Sequence, residues 1–210
     1  MGVGGPQEGT AMSARDVVTA TIKQEHYALG MVMAVLQRLL GDIAERRAEP
    51  DFALFAAALY YIDDFPERCH HPKEDEYLFK ALRGRTKRHN AVLDDLQAEH
   101  VSSAQMVGYL HQALTHYQGG APEGLERFRA GVDAYAAMLR DHMHKEDELL
   151  AQAPDDLAEE DWSRIAAAFD ANDDPLFGKN RRAEFNKLYL RILNLLPSKM
   201  KMPLRSHRYE

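Results

Sequence analysis

A chain of 210 residues, 45% hydrophobic and 28% charged, has the composition of a globular protein and is long enough to bury a substantial core as one domain, or one domain with an extension. Its net charge of -7 gives no strong nucleic-acid signal, and no uninterrupted apolar run of eighteen residues offers a membrane span. A single cysteine, Cys69, excludes an internal disulfide and a thiolate-rich metal site, in keeping with a reducing cytoplasm, so any metal ligands must be His, Asp or Glu.

Residues 1–13 have no basic segment followed by an apolar one and read as a flexible leader, with Met12 as an alternative start. Over 14–152, glycine and proline are sparse and apolar residues recur at threes and fours, which predicts an all-α region. Four helices are expected: A over 14–48, B over 51–82, C over 86–117 and D over 122–151. The connections "EPD", "RGR" and "QGGA" are short, which makes successive helices antiparallel neighbours in an up-down-up-down antiparallel four-helix bundle. Asp51 is placed to cap helix B, and Pro122 suits the first turn of helix D. Pro66 and Pro72 flank His70, so helix B is expected either to deform there or to break near Phe65.

Residues 153–198 read as a C-terminal helical extension, a short capped helix followed by an amphipathic one, and 199–210 as a basic tail. The last 32 residues carry nine Lys or Arg against two Glu, so they either fold back on the acidic body or meet an acidic partner. Leu188, Leu190, Ile192 and Leu195 require burial, against the bundle or in a homodimer or protein partner contact.

The strings "HHPKEDE" at 70–76 and "HMHKEDE" at 142–148 repeat a histidine four residues before a glutamate. In helix D the apolar stripe Leu125, Phe128, Val132, Tyr135, Leu139 runs on through His142 and Glu146 to Leu149. In helix B the stripe Phe52, Phe55, Leu59, Ile62 runs through Pro66, His70 and Glu74 to Leu78. Helices A and C each turn one histidine inward, His26 and His100, in the matching contexts "QEH" and "AEH". The chain therefore reads as two copies of one helical hairpin.

Depth tests whether these residues meet. At 1.5 Å per residue, His26 and His100 lie about 18–21 Å from one end of the bundle, and His70 and His142 about 14–18 Å from that same end. One inward histidine is more often a hydrogen-bonded core residue than a ligand, and one "KEDE" string is more often a solvated face. Four histidines and two glutamates at one level are another matter, because an unpaired buried carboxylate costs several kcal/mol. A metal pair compensates them, and imidazole with carboxylate suits iron or manganese, with zinc an alternative.

One His on helix A, HxxxE on helix B, one His on helix C and HxxxE on helix D resemble the hemerythrin-like (hemerythrin HHE cation-binding) family. "FPERCHHPKEDEYLF" and "HMHKEDELL" are similar to its hallmark segments, over 14–152, and "EEDWSRIAAAFDANDDPLFG" resembles a tail found in bacterial members. The resemblance implies a non-haem di-iron centre, oxo- or hydroxo-bridged, held by His26, His70, Glu74, His100, His142 and Glu146. It implies a small diatomic or peroxide ligand: O2, peroxide or nitric oxide, bound or reacted with in sensing or stress protection. Two other functions stand beside this, a di-iron enzyme or iron donor in iron-sulfur cluster repair or peroxide reduction, and a metal-stabilised interaction module.

The chain departs from the oxygen carriers in two places. Their second helix-C histidine corresponds to Ala104, which leaves four histidines, as in the repair and iron-sensing branches. Their last carboxylate corresponds to Asp147, leaving Glu146 and Asp147 as alternatives, of which the helix-B repeat favours Glu146. The cysteine pair at the start of many repair proteins is absent. His71 and His144 lie off the stripe and are expected at the surface or behind the ligands. His89 and His111, each about 16 Å along the axis from His100, are too distant. Tyr27, Tyr77 and Cys69 adjoin ligand positions and are expected to serve packing.

Overall fold

The computed structural model describes residues 12–195. The leader expected over 1–13 falls almost wholly, and the basic tail over 199–210 wholly, outside the described residues. The described fold is all-helical. It comprises α1 (Ala14–Ala44), α2 (Phe52–Asp64), α3 (His71–Lys73), α4 (Lys80–Arg85), α5 (Asn90–Gln118), α6 (Gly124–Gln152), α7 (Glu159–Asp170) and α8 (Asn186–Leu195). Helix α5 packs along α6, α1 against α6 and α7, and α2 against α5.

Local chemistry sets the ends. Ser13 Oγ accepts from the Asp16 amide at 3.2 Å, and Asp51 Oδ1 from the Leu54 amide at 3.1 Å, each satisfying a donor with no partner inside its helix. Helix α6 begins at Gly124 rather than at Pro122, because Glu123 takes a left-handed conformation (φ 58°). A Cβ on Gly124 would lie 2.7 Å from Tyr117 Cα, so glycine permits the close approach of α5 and α6. Helix α5 starts at Asn90, later than expected, because the preceding turn buries His89 with Nε2 2.7 Å from Asp156 Oδ2.

The second arm, 52–85, deforms rather than breaks. Between α2 and α4 it passes through two π-helical segments, Pro66–His70 and Glu74–Phe79, on either side of α3. The amides of both Cys69 and His70 bond the Phe65 carbonyl, at 2.9 and 3.1 Å. Neither Pro66 nor Pro72 has an N–H to give, and each ring would press on the carbonyl four residues back. The wider π turn relieves that crowding, a device frequent at functional sites.

Two apolar blocks make the core. One joins Val18 and Ile22 to Leu78, Phe79, Leu93, Leu96, Leu149 and Trp162; the other joins Leu29–Leu40 of α1 to Phe55, Ile62, Leu110, Phe128, Tyr135 and Leu139. On every long arm a buried histidine, and on all but α5 a buried glutamate as well, falls in sequence between the two blocks. Helix α1 is long and apolar enough to cross a membrane by length and composition alone; in the fold it turns Glu25 and His26 inward.

The segment after α6 folds back on the body. Trp162, Ile165 and Phe169 of α7 complete one block, and Phe185, Leu188 and Ile192 complete the other. Leu195 packs at its edge, while Leu190 is exposed. Two of the segment's basic residues meet acidic ones: Lys187 pairs at 2.6 Å with Asp51, the cap of α2, and Arg182 with Asp64 at its end.

Candidate metal centre

His26, His70, Glu74, His100, His142 and Glu146 are all buried in one cluster between the two apolar blocks. Their atoms fall into two groups. His26 Nε2 and His70 Nε2 face one another at 3.1 Å; His100 and His142 lie with ring centroids 4.9 Å apart. The carboxylates span the groups. Glu74 turns Oε1 to His70 Nε2 at 3.3 Å and Oε2 to His100 Nε2 at 3.6 Å. Glu146 turns Oε2 to His26 Nε2 at 3.1 Å and Oε1 to His142 Nε2 at 3.2 Å.

A fifth histidine joins them. His71, expected at the surface or behind the ligands, is not at the surface but buried, its ring stacked on His100 at 4.3 Å and edge-on to His142 at 5.4 Å. The π-helical segment accounts for the difference: its wider turn brings adjacent residues 70 and 71 into the core together. Donor atoms of His71, His100 and His142 lie close enough to share one cation, as do those of His26, His70, Glu74 and Glu146. Asp147 is exposed and Glu146 buried, so only Glu146 faces the cluster.

Carboxylates from neighbouring elements back the imidazoles. Glu25 Oε2 lies 2.7 Å from His70 Nδ1, Glu99 Oε2 3.0 Å from His142 Nδ1, and Asp75 Oδ2 3.2 Å from His100 Nδ1. A carboxylate on Nδ1 fixes the ring and leaves Nε2 free to bind a cation. Sequence reasoning missed these residues, although each glutamate directly precedes a cluster histidine in "QEH" and "AEH". Lys145 binds the outer oxygen of Glu99, so the lysine of the repeated string also serves the site.

The electrostatics are those of a cation site. Burial, with Glu146 beside it, pushes Glu74 well above the usual carboxylate range. Burial also opposes ionisation of Glu146, but His100, His142 and His26 together hold it well below that range. Burial and the His26 charge push His70 down, and burial lowers His71 to about 4 despite Glu67. His100 resists burial through Asp75 and Glu146 and rises to about 9. Burial carries Glu25 up to about 7 against Asn172 and His26.

The donor set fits a pair of cations. Both oxygens of Glu74 and of Glu146, with Nε2 of His100 and His142, are buried without a hydrogen-bond partner. Buried polar groups are rarely left so. Facing donors 3.1–3.3 Å apart match the edge of a coordination shell with bonds of about 2.1 Å.

Other residues near the cluster do not enter it. Tyr27, Tyr77 and His144 are exposed. Cys69 is half-buried, its Sγ 3.7 Å from the Asp64 carbonyl, and burial raises its thiol, which is the signature of an inert side chain.

The profile of the Hemerythrin HHE cation binding domain matches residues 17–153. No curated protein and no solved structure matched the chain. The match takes in every residue of the donor cluster and most of the chain, and the chain belongs to the hemerythrin HHE cation-binding family.

Proposed function

We propose that the protein is a hemerythrin-like non-haem di-iron protein that binds or reacts with O2, peroxide or nitric oxide, in cytoplasmic sensing or stress protection. Its four long arms run up-down-up-down around the centre. The observation that carries this reading is the pair of carboxylates, Glu74 and Glu146, each offering its two oxygens to opposite imidazole groups. His26 and His70 would hold one ion and His71, His100 and His142 the other, with Glu74 and Glu146 able to offer an oxygen to each. The absence of thiolate favours iron or manganese, with zinc an alternative.

When bound, an iron pair supplies electrons to a small oxidant, chemistry that side chains lack. The chain's own residues orient and shield. Glu25 and Glu99 fix the His70 and His142 rings through Nδ1, and the Asp75 carboxylate lies beside His100 Nδ1. Phe79, stacked on His100 at 5.7 Å, and Phe169, edge-on to His70 at 6.3 Å, close the centre with apolar surface. The His26/His70 position would have one imidazole fewer, which would leave it the more open side for a small ligand.

Metal analysis of protein purified after iron loading, with visible spectra before and after reduction and oxygen exposure, tests the proposal. Two iron ions per chain and an oxygen-sensitive absorption band are expected. Less than one metal per chain would sink the dinuclear reading. Sustained consumption of peroxide or nitric oxide would make the protein an enzyme rather than a carrier or sensor.

A further inference from the structure

The two halves of the centre correspond down to the lysine. Lys73 follows His70 as Lys145 follows His142, and Glu25 precedes His26 as Glu99 precedes His100. In the α5–α6 half, Lys145 Nζ donates directly to Glu99 Oε1. In the other half Asn172, from the turn after α7, is inserted. Its Nδ2 donates to Glu25 Oε1 at 3.0 Å, and its Oδ1 accepts from Lys73 Nζ. An ammonium only donates and a carboxylate only accepts, so the amide has one orientation that serves both.

We propose that Asn172 is a positioning residue for the His26/His70 metal position: standing between Lys73 and Glu25, it holds the Glu25 carboxylate on His70 Nδ1 and makes the two metal positions unequal. The inference rests on the metal reading above. Lys145 holds Glu99 directly, whereas Glu25 is reached only through the Asn172 amide, so the carboxylate that orients His70 depends on the extension and the one that orients His142 does not. A carboxylate on Nδ1 fixes the ring and leaves Nε2 as the donor. Asn172 lies beyond residues 17–153, so the device belongs to the extension rather than to the family's domain. The extension holds the amide firmly, with Phe169 against His70 on one side and Tyr61 Oη donating to Asp174 Oδ2 at 3.0 Å on the other.

The test uses cobalt(II) as the probe, titrated into metal-free full-length protein. Absorbance and chelator competition give the two stepwise dissociation constants. Asn172→Leu should raise one constant about tenfold, the low end for loss of an outer partner of a metal ligand, and leave the other unchanged. Glu99→Gln should raise the other constant, and the double variant both. Asn172→Asp, nearly the same size but repelled by Glu25, should repeat the selective loss if the leucine variant folds poorly. Tyr61→Phe, which removes the neighbouring anchor and leaves Asn172 in place, should change neither constant.

Two cobalt ions bound with both constants unmoved by Asn172→Leu would overturn this inference alone. So would equal weakening of both positions, or the same loss from Tyr61→Phe, either of which would reduce Asn172 to a peg for the extension. Fewer than two cobalt ions bound by the wild-type chain would overturn the dinuclear reading and this inference with it.

Discussion

The imidazoles of His71 and His100 lie nearly parallel, with 13° between their planes and 4.3 Å between centroids. They come from the second arm and from α5. The oxygen carriers supply a second helix-C histidine where this chain has Ala104. Here the fifth imidazole comes from the second arm, because a π-helical segment turns residue 71 inward beside residue 70. The buried cluster thus contains five imidazoles although α5 supplies only one.

His71 is therefore expected to matter and His144, which is exposed, not to. His71→Ala should weaken one of two bound metals by at least tenfold, the size of effect seen when metal-site partners are removed, and shift the visible spectrum. His144→Ala should retain both metals and the spectrum. Metal content and absorption of the two purified variants decide it, and a full complement with an unaltered spectrum in His71→Ala would return residue 71 to a packing role.

The two adjacent acids of the second repeat separate in the same way. Glu146→Gln keeps the volume but replaces one of the two buried, unpartnered oxygens by an amide nitrogen, and should lose at least one metal per chain on dialysis. Asp147→Asn, a change at an exposed position, should retain both. Metal loss in the aspartate variant with retention in the glutamine variant would reverse the assignment.

The six cluster residues follow from the apolar stripes and from depth, because both depend only on the 3.6-residue period and the rise of a helix. His71 does not, since the stripe assumes unbroken α geometry and the two prolines replace it with wider turns. Glu25 and Glu99 are hidden for a different reason. A residue one place before an inward histidine points about 100° away from it, and what it reaches depends on a neighbouring helix that the stripe does not describe. Asn172 is 147 residues from its partner Glu25, and no periodicity links them.

The extension is expected to be integral to the fold. Phe185 is fully buried, stacked on Tyr60 at 5.5 Å and edge-on to Tyr61 at 6.0 Å. Phe185→Ala should cost about 3–5 kcal/mol, the usual loss for a buried aromatic, while leaving metal stoichiometry unchanged. Urea unfolding measures it. A loss below about 1 kcal/mol would mean that the extension docks too loosely for its residues to contribute to the body's stability.

A pH dependence follows from Asp174, which sits in the same extension. Burial pushes its carboxyl from 3.8 up to about 6, with Glu25 adding to the rise, although the Leu176 and Phe177 amides and Tyr61 Oη donate to it. Between those values the folded chain keeps a proton that the unfolded chain releases. The contribution is fully present below about pH 4, falls as pH rises through 6, and is flat above. Asp174→Asn removes the titration while keeping an oxygen for the two amides. Relative to wild type, the variant should gain about 2 kcal/mol between pH 4 and pH 7. Urea unfolding of metal-free protein across that range reads the difference, and taking it between variant and wild type cancels the other carboxylates. A difference that stays constant with pH would show that Asp174 is ionised in the fold as readily as in the unfolded chain.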